Sequence, residues 1–306
     1  MTLLKRMLES SGSAARLVHR LRYAQFNSRL LRSLLAAIYR EGNVYRVPYG
    51  PLRGARLEYD RSINYHEMLG LWELETLSLM ARVLRPLIKA GPATVCDIGA
   101  NIGLYTLWLA RTLAPDSVVY AFEPAPYAFE RLSRHVALNN AQNVRPLRLA
   151  VSDTLGEVAF YEGYDHHISS LNAEWAGGGR ITPTRIMVPA TTLDAFCGEA
   201  GGRWPDFIKI DIEGGGVSAL RGVTQCVERT RPLILIESHT PAEDGAIGAL
   251  LLAHGYEAYR LTNRRWVGSR ATTHPDPDGV WGTLLLCPAE ARARVGQAIS
   301  GRRPIP

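Results

Sequence analysis

Residues 94–103 read Thr-Val-Cys-Asp-Ile-Gly-Ala-Asn-Ile-Gly. Thr94 to Asp97 is a short apolar run with β-branched residues, the pattern of a buried strand. Gly99 and Gly103 supply a tight turn, and from about Gly103 to Leu113 the apolar spacing becomes helical. The alternation of short apolar strands and helical segments continues downstream of this stretch. Val118–Phe122 is a second strand, with a helix from about Pro126 to Leu138. Val144–Val151, Phe207–Ile210 and Leu233–Ile236 supply a third, fourth and fifth strand. Strands alternating with helices predict an α/β, doubly wound parallel sheet with right-handed crossovers.

Two segments depart from that alternation. Glu157–Tyr161 and Arg185–Val188 read as extra strands around a Gly-rich insertion at about 154–192. Ala258–Leu261 and Thr283–Leu286 read as strands with no helix between them, which predicts an antiparallel pair. Upstream, Glu67–Ile88 reads as one helix ending around Arg85-Pro86, and the Gly/Pro-rich Val47–Pro51 precedes it. The expected organisation is a basic, helical N-terminal extension (1–65), a main domain (66–290) and a basic tail (291–306) that frays from Arg292.

A chain of 306 residues, 46% hydrophobic and 21% charged, has material for a sizeable core. Disorder, collagen-like repeats and a disulfide scaffold are excluded as descriptions of the whole. Cys96, Cys197, Cys226 and Cys287 are scattered without a C-x-x-C pair, so they read as buried apolar residues in a reducing compartment and not as zinc ligands. The net charge of +6 is concentrated in residues 1–40, which carry seven arginines and Lys5 against Glu9. The body is therefore near neutral, and with no reader motif it gives no reason to expect a nucleic-acid partner. Leu17, Leu21, Leu30, Leu31, Leu34, Leu35 and Ile38 lie at helical spacing among those arginines. They predict helices that pack on the body, mediate oligomerisation, or dock on an anionic surface. No run reaches the ~18 apolar residues of a transmembrane helix, and no signal-peptide pattern is present, so the default expectation is a cytoplasmic protein.

Open parallel sheets bind ligands beyond the carboxyl ends of their strands, where strand order reverses. Asp97, Gly99, Ala100, Asn101 and Gly103 close the first strand, and the helix that follows offers free N–H groups to an anion. Glu123, followed by Pro124, closes the second strand twenty residues after Gly103, where a carboxylate can accept both hydroxyls of a ribose. Asn101 replaces the middle glycine of a dinucleotide fingerprint, and Asp97 is ill matched to a pyrophosphate. A carboxylate there suits an ammonium or sulfonium, which points to S-adenosylmethionine. A plain strand-to-helix turn is the competing reading.

The successive motifs Asp97–Gly103, Phe122-Glu123-Pro124, Val151-Ser152-Asp153 and Ile210-Asp211-Ile212-Glu213-Gly214 resemble those of FkbM-type methyltransferases. Gly70-Leu71-Trp72-Glu73 and Ile236-Glu237-Ser238-His239 also match segments of that family, and the resemblance covers roughly 66–262. It implies a class I, Rossmann-like methyltransferase fold with a seven-stranded sheet and an antiparallel final strand. It also implies S-adenosylmethionine as donor, usually O-methylation, and Ser152 and Asp153 beside the adenine. One departure is Gly216, where the family commonly carries an acidic residue.

Methyl transfer from a sulfonium needs in-line alignment and a proton acceptor. Asp211 and Glu213 follow the fourth strand and His239 follows the fifth, and these are the candidate catalytic groups. Asp211 is also a candidate donor-binding residue, and Trp72 and Glu73 a candidate cover. A metal held by Asp211, Glu237 and His239 is admissible in ligand chemistry but is not the favoured reading, and Asp165-His166-His167 reads as a closing loop. The expected activity is O-methylation of a small-molecule hydroxyl, on a sugar or a polyketide-type product. The alternatives are a glycan, lipid or amine acceptor, or a non-catalytic cofactor-binding assembly module.

Overall fold

The computed structural model describes residues 29–163, 169–177, 182–199, 203–261, 264–267 and 282–301. The helices expected within 1–28 and the Asp165-His166-His167 loop lie outside these residues. In chain order, α1 (Arg29–Ile38) leads into a hairpin, β1 (Val44–Arg46) and β2 (Arg56–Glu58). Three short helices follow, α2 (Tyr65–Leu69), α3 (Leu74–Val83) and α4 (Arg85–Ala90). Next come β3 (Thr94–Ile98), α5 (Leu104–Thr112), β4 (Val118–Phe122), α6 (Pro126–Leu138) and β5 (Val144–Leu147). The insertion forms β6 (Ala150–Val151), β7 (Gly156–Glu162), α7 (Ala173–Gly177) and β8 (Thr184–Thr191), after which α8 (Leu193–Glu199) returns to the body. The second half runs β9 (Phe207–Ile210), α9 (Gly216–Arg221), α10 (Thr224–Thr230), β10 (Leu233–Glu237) and α11 (Pro241–His254). It ends with β11 (Tyr256–Arg260), β12 (Arg265–Val267), β13 (Thr283–Pro288) and α12 (Arg292–Ser300).

The main sheet has the order β12-β11-β13-β10-β9-β3-β4-β5. Pairings from β5 through β10 are parallel, and β13 is antiparallel to both β10 and β11. This is the expected doubly wound sheet with an antiparallel end, and β12 adds an eighth, edge strand. Chain order runs outward from β3 in one direction and restarts at β9 in the other, so the switch point lies between β3 and β9.

Alternation along the strands assigns the faces. Val95, Phe207 and Leu235 join the core shared with α3 and α5, and Cys96, Ile98, Ile208, Ile210 and Ile236 join the core under α9, α10 and α11. Asp97 and Lys209 therefore point toward the α5 side, opposite one another in register.

Several elements differ from the sequence expectation. The helix expected over 67–88 is three helices. Gly70 ends α2 in the left-handed region (φ 72), and a Cβ there would lie 2.1 Å from the Tyr49 carbonyl oxygen. That contact also makes residues 47–51 part of the packing and more than a spacer. Within the expected N-terminal extension Tyr39 packs against Tyr45, Tyr59 and Tyr65, and the end of its hairpin meets the body where Arg131 pairs with Glu58 and Asp60 at 2.7 Å each. The expected third strand divides, because Ala150 and Val151 leave the main sheet to pair with β8 in a separate sheet ordered β6-β8-β7. The expected fraying tail instead forms α12. It buries Val295, and its Ala298 carbonyl accepts Arg82 Nε at 3.2 Å.

Gly42 and Gly70 separate two costs of replacing glycine. Gly42 has φ 77 with nothing within 4 Å of an added Cβ. Gly42→Ala should cost roughly 1–2 kcal/mol, the penalty of a left-handed L-residue. Gly70→Ala adds a steric clash with backbone and should cost roughly 2–5 kcal/mol. Urea unfolding of the two variants checks the ordering.

Candidate active site at the switch point

The carboxyl ends of β3, β4, β9 and β10 open into one cavity of about 270 Å³. That lies just below the roughly 300–1,000 Å³ typical of small-molecule sites. Gly99, Ala100, Asn101, Glu123 and Pro124 form one part of its wall, and Asp211, Glu213 and Glu237 another. Trp72, Glu73 and Tyr105 close the α3–α5 side.

The loop after β3 is shaped by close approaches. Gly99 has φ 75, and a Cβ would lie 1.9 Å from the Asp211 carbonyl oxygen, so no side chain fits between the two strand ends. Asn101 adopts φ 49, a conformation asparagine tolerates better than most residues. Its N–H donates to Glu123 Oε2 at 2.8 Å, and Ala125 N–H donates to Oε1 at 2.9 Å. Each carboxylate oxygen keeps acceptor capacity toward the cavity. Burial pushes the Glu123 carboxyl up to about 7, although the two N–H bonds pull the other way.

Beneath the wall lies a charge bridge that sequence reading missed. Lys209 is 3% exposed, and its Nζ donates to the Gly99 carbonyl at 2.8 Å. It lies 3.4 Å from Asp97 Oδ1 and 3.3 Å from Asp211 Oδ2, and 5.0 Å from the Tyr105 ring centre. Burial pulls the ammonium down, but Asp211 and Asp97 more than offset it and hold it above the usual lysine value. The signal was available: Lys209 is one of three lysines in the chain and stands in an otherwise apolar strand. Tyr105 was also missed. It packs edge-on against Trp72 at 4.9 Å, and its hydroxyl points at Glu73 Oε2 at 3.5 Å. Glu73 has φ 49, and burial, then the Asp211 charge, raises its carboxyl.

Not every expected donor-site residue reaches the cavity. Asp97 is fully buried, with Oδ2 accepting the Thr106 hydroxyl at 2.5 Å and Oδ1 3.4 Å from Lys209 Nζ, so it lies behind the cavity wall. Gly103 caps the start of α5, where a Cβ would lie 2.7 Å from Leu132, and it does not line the cavity. Ser152 is buried against Thr154, and Asp153 pairs with Arg221 at 3.4 Å; neither lines the cavity.

The candidate catalytic groups do converge. His239 Nε2 lies 3.7 Å from Asp211 Oδ1, 3.5 Å from Glu213 Oε2 and 3.8 Å from Glu237 Oε1. Burial, then Asp211, Glu73 and Glu213, push the Glu237 carboxyl up to about 8. Buried Glu243 fixes the backbone here: Oε2 accepts His239 N–H at 2.7 Å and Thr240 N–H at 2.9 Å, and Oε1 accepts Gly216 N–H at 2.8 Å. A Cβ at Gly216 would sit 2.9 Å from that carboxylate, so the glycine admits Glu243, and α9 forms regardless.

A family model described as the Methyltransferase FkbM domain matches residues 97–258. Methyltransferase sdnD of Sordaria araneosa is 43% identical over 193 residues, covering 54% of this chain and 74% of its own. The 31-O-demethyl-FK506 methyltransferase FkbM of Streptomyces tacrolimicus is 30% identical over 190 residues, covering 53% and 72%. Methyltransferase 1 of Beauveria bassiana is 28% identical over 144 residues, 42% of this chain, and the chain spans only 57% of that relative.

Removing the ammonium in Lys209→Met strands Asp97 in the core and should cost about 3–5 kcal/mol. Adding Asp97→Asn should recover part of the loss, so a double-mutant cycle by urea unfolding should show coupling; additive losses would disprove the bridge. Glu123 gives a pH signature. Below its ordinary value of 4.5 both states hold the proton; between there and about 7 only the folded chain does. Stability of the wild type relative to Glu123→Gln should therefore fall as pH rises through that window, read from melting temperatures across pH.

Proposed function

The chain belongs to the family its motifs resemble, the FkbM methyltransferase domain family, and on that premise we propose that it methylates a hydroxyl of a small molecule using S-adenosylmethionine. The observation that carries this reading is the single cavity. It joins the Gly99–Asn101 turn and Glu123 at one end to Asp211, Glu213 and Glu237 at the other.

The residues present fit the donor. Glu123 has free acceptor capacity for a ribose diol, and the backbone of 99–101 lies open along the wall. Asp211, with the raised carboxyls of Glu73 and Glu237 also on the wall, offers a negative charge suited to a sulfonium or ammonium. When bound, S-adenosylmethionine supplies an electrophilic methyl group on a positively charged sulfur. The chain's own task is to hold the acceptor oxygen in line and to take its proton. Asp211, with Oδ2 turned to Lys209 and Oδ1 to His239, is the first candidate to receive the hydroxyl hydrogen. Glu213 and His239 stand beside it, with His239 Nε2 3.5 Å from Glu213 Oε2 and 3.7 Å from Asp211 Oδ1, and help to hold the acceptor hydroxyl in place. Good alignment contributes about 7–11 kcal/mol, against about 3–5 kcal/mol for a general base. Positioning by the cavity walls therefore outweighs the identity of the base.

A hydroxyl acceptor is supported by the relative whose name specifies a 31-O-demethyl substrate. A sugar or polyketide-type acceptor is the class we favour, with the insertion, through Phe160 and Ser169, forming part of the wall it meets.

The test is turnover against a panel of hydroxylated sugars and polyketide-type alcohols with S-adenosylmethionine. Asp211→Asn should lower kcat by about 10²- to 10⁴-fold while S-adenosylhomocysteine binding, by calorimetry, stays within tenfold. A well-folded wild type that binds no S-adenosylhomocysteine and methylates none of the panel would refute the reading.

A further inference from the structure

We infer that Asp211, Glu213, Glu237 and His239 form a binding site for a hard-to-borderline divalent cation of the Mg²⁺/Mn²⁺ class. The inference deepens the methyltransferase reading, because the site lies at the acceptor end of the same cavity, and it rests on that reading only for the use made of the ion.

Two strand ends deliver the ligands. Asp211 and Glu213 follow β9, Glu237 ends β10 beside them, and His239 stands two residues further on. Ligand atoms of Asp211, Glu237 and His239 all lie within 4.8 Å of one another, and Glu213 Oε2 lies 3.5 Å from the same imidazole nitrogen. The imidazole is an observation separate from the carboxylates. It is 8% exposed, its backbone is held by Glu243, and the ring turns Nε2 toward three carboxylates at once. Nε2 thus lies within 3.8 Å of an oxygen of each of the three carboxylates, the clustering that ligands of one ion share.

Charge balance points the same way. Asp97, Asp211, Glu213 and Glu237 gather around Lys209 and His239, and Lys209 is already committed to Asp97, to the Gly99 carbonyl and to Asp211 Oδ2. That commitment leaves Asp211 Oδ1 facing His239. Oxygen ligands with one imidazole suit Mn²⁺ and Mg²⁺ better than soft metals. Three or four protein ligands leave coordination positions for acceptor oxygens, which gives the site a role in orienting a hydroxylated substrate.

The test uses chelator-treated full chain and Mn²⁺ alone as probe, with free Mn²⁺ followed by electron paramagnetic resonance. Wild type should bind one Mn²⁺ per chain, and Glu237→Gln and His239→Ala should each weaken binding at least tenfold. Glu237 is 40% exposed and the Gln variant is near-isosteric, so it keeps the result readable should His239→Ala misfold. Equal Mn²⁺ binding by wild type and folded Glu237→Gln, or no Mn²⁺ binding by wild type, overturns the site. Calorimetry with S-adenosylhomocysteine on the same samples separates the two readings. Its failure on wild type counts against methyl transfer, while the Mn²⁺ result still decides the cation site.

Discussion

A buried lysine holding two carboxylates together across neighbouring parallel strands is the constraint on which this molecule depends. Lys209 and Asp97 face each other in register between β9 and β3, and both are almost wholly out of water. Neither charge is tolerable there alone. Together they lock the alignment of the two strands that flank the switch point. A slip of one residue in either strand would turn its own charged side chain to the opposite, apolar face and leave the other buried without its partner. The ammonium also reaches the Gly99 carbonyl and Asp211, so the same group that fixes the sheet fixes the two loops from which the cavity is built.

The cavity walls follow from that alignment. Because Gly99 has no Cβ, the turn after β3 touches the backbone of Asp211 directly, and the two strand ends diverge only beyond this point. Glu123 then ties the turn to β4 by accepting N–H groups from residues 101 and 125. Glu243 performs a similar service for the other half, joining α9, His239 and the start of α11 through one carboxylate. Carboxylates accepting backbone N–H groups thus frame the cavity on both sides. The candidate reacting groups hang from this frame on short segments.

Much of this was legible in the sequence. Glycine spacing after an apolar run marks a strand-to-helix turn, and polar residues at strand ends mark the ligand side of a parallel sheet, so Gly99, Glu123, Asp211 and His239 could be placed from local pattern. What was not legible depends on contacts between distant segments. Asp97 was expected at a ligand because its position in sequence puts it near one. Strand alternation turns it under the wall, toward a lysine more than a hundred residues away. The break at Gly70 comes from the approach of Tyr49, and α12 is held by its seat on α3. Neither is encoded in its own neighbourhood. Gly216 was a puzzle as a missing acidic residue, and it is explained by the carboxylate of Glu243 lying where a side chain would be.

The small β6–β8–β7 sheet carries a consequence of a different kind. It packs on its own modest core, around Phe160, Val188 and Ala190 with Ala125 and Ala128 from the body, yet it lends Phe160 and nearby Ser169 to the cavity wall. Lengthening a surface loop costs only about 0.6 kcal/mol per doubling. Natural variation can therefore reshape this patch of wall without disturbing the alignment of β3 and β9. The portion of wall lent by the insertion is thus mechanically separate from the turn after β3 and from the frame that Glu123 and Glu243 build.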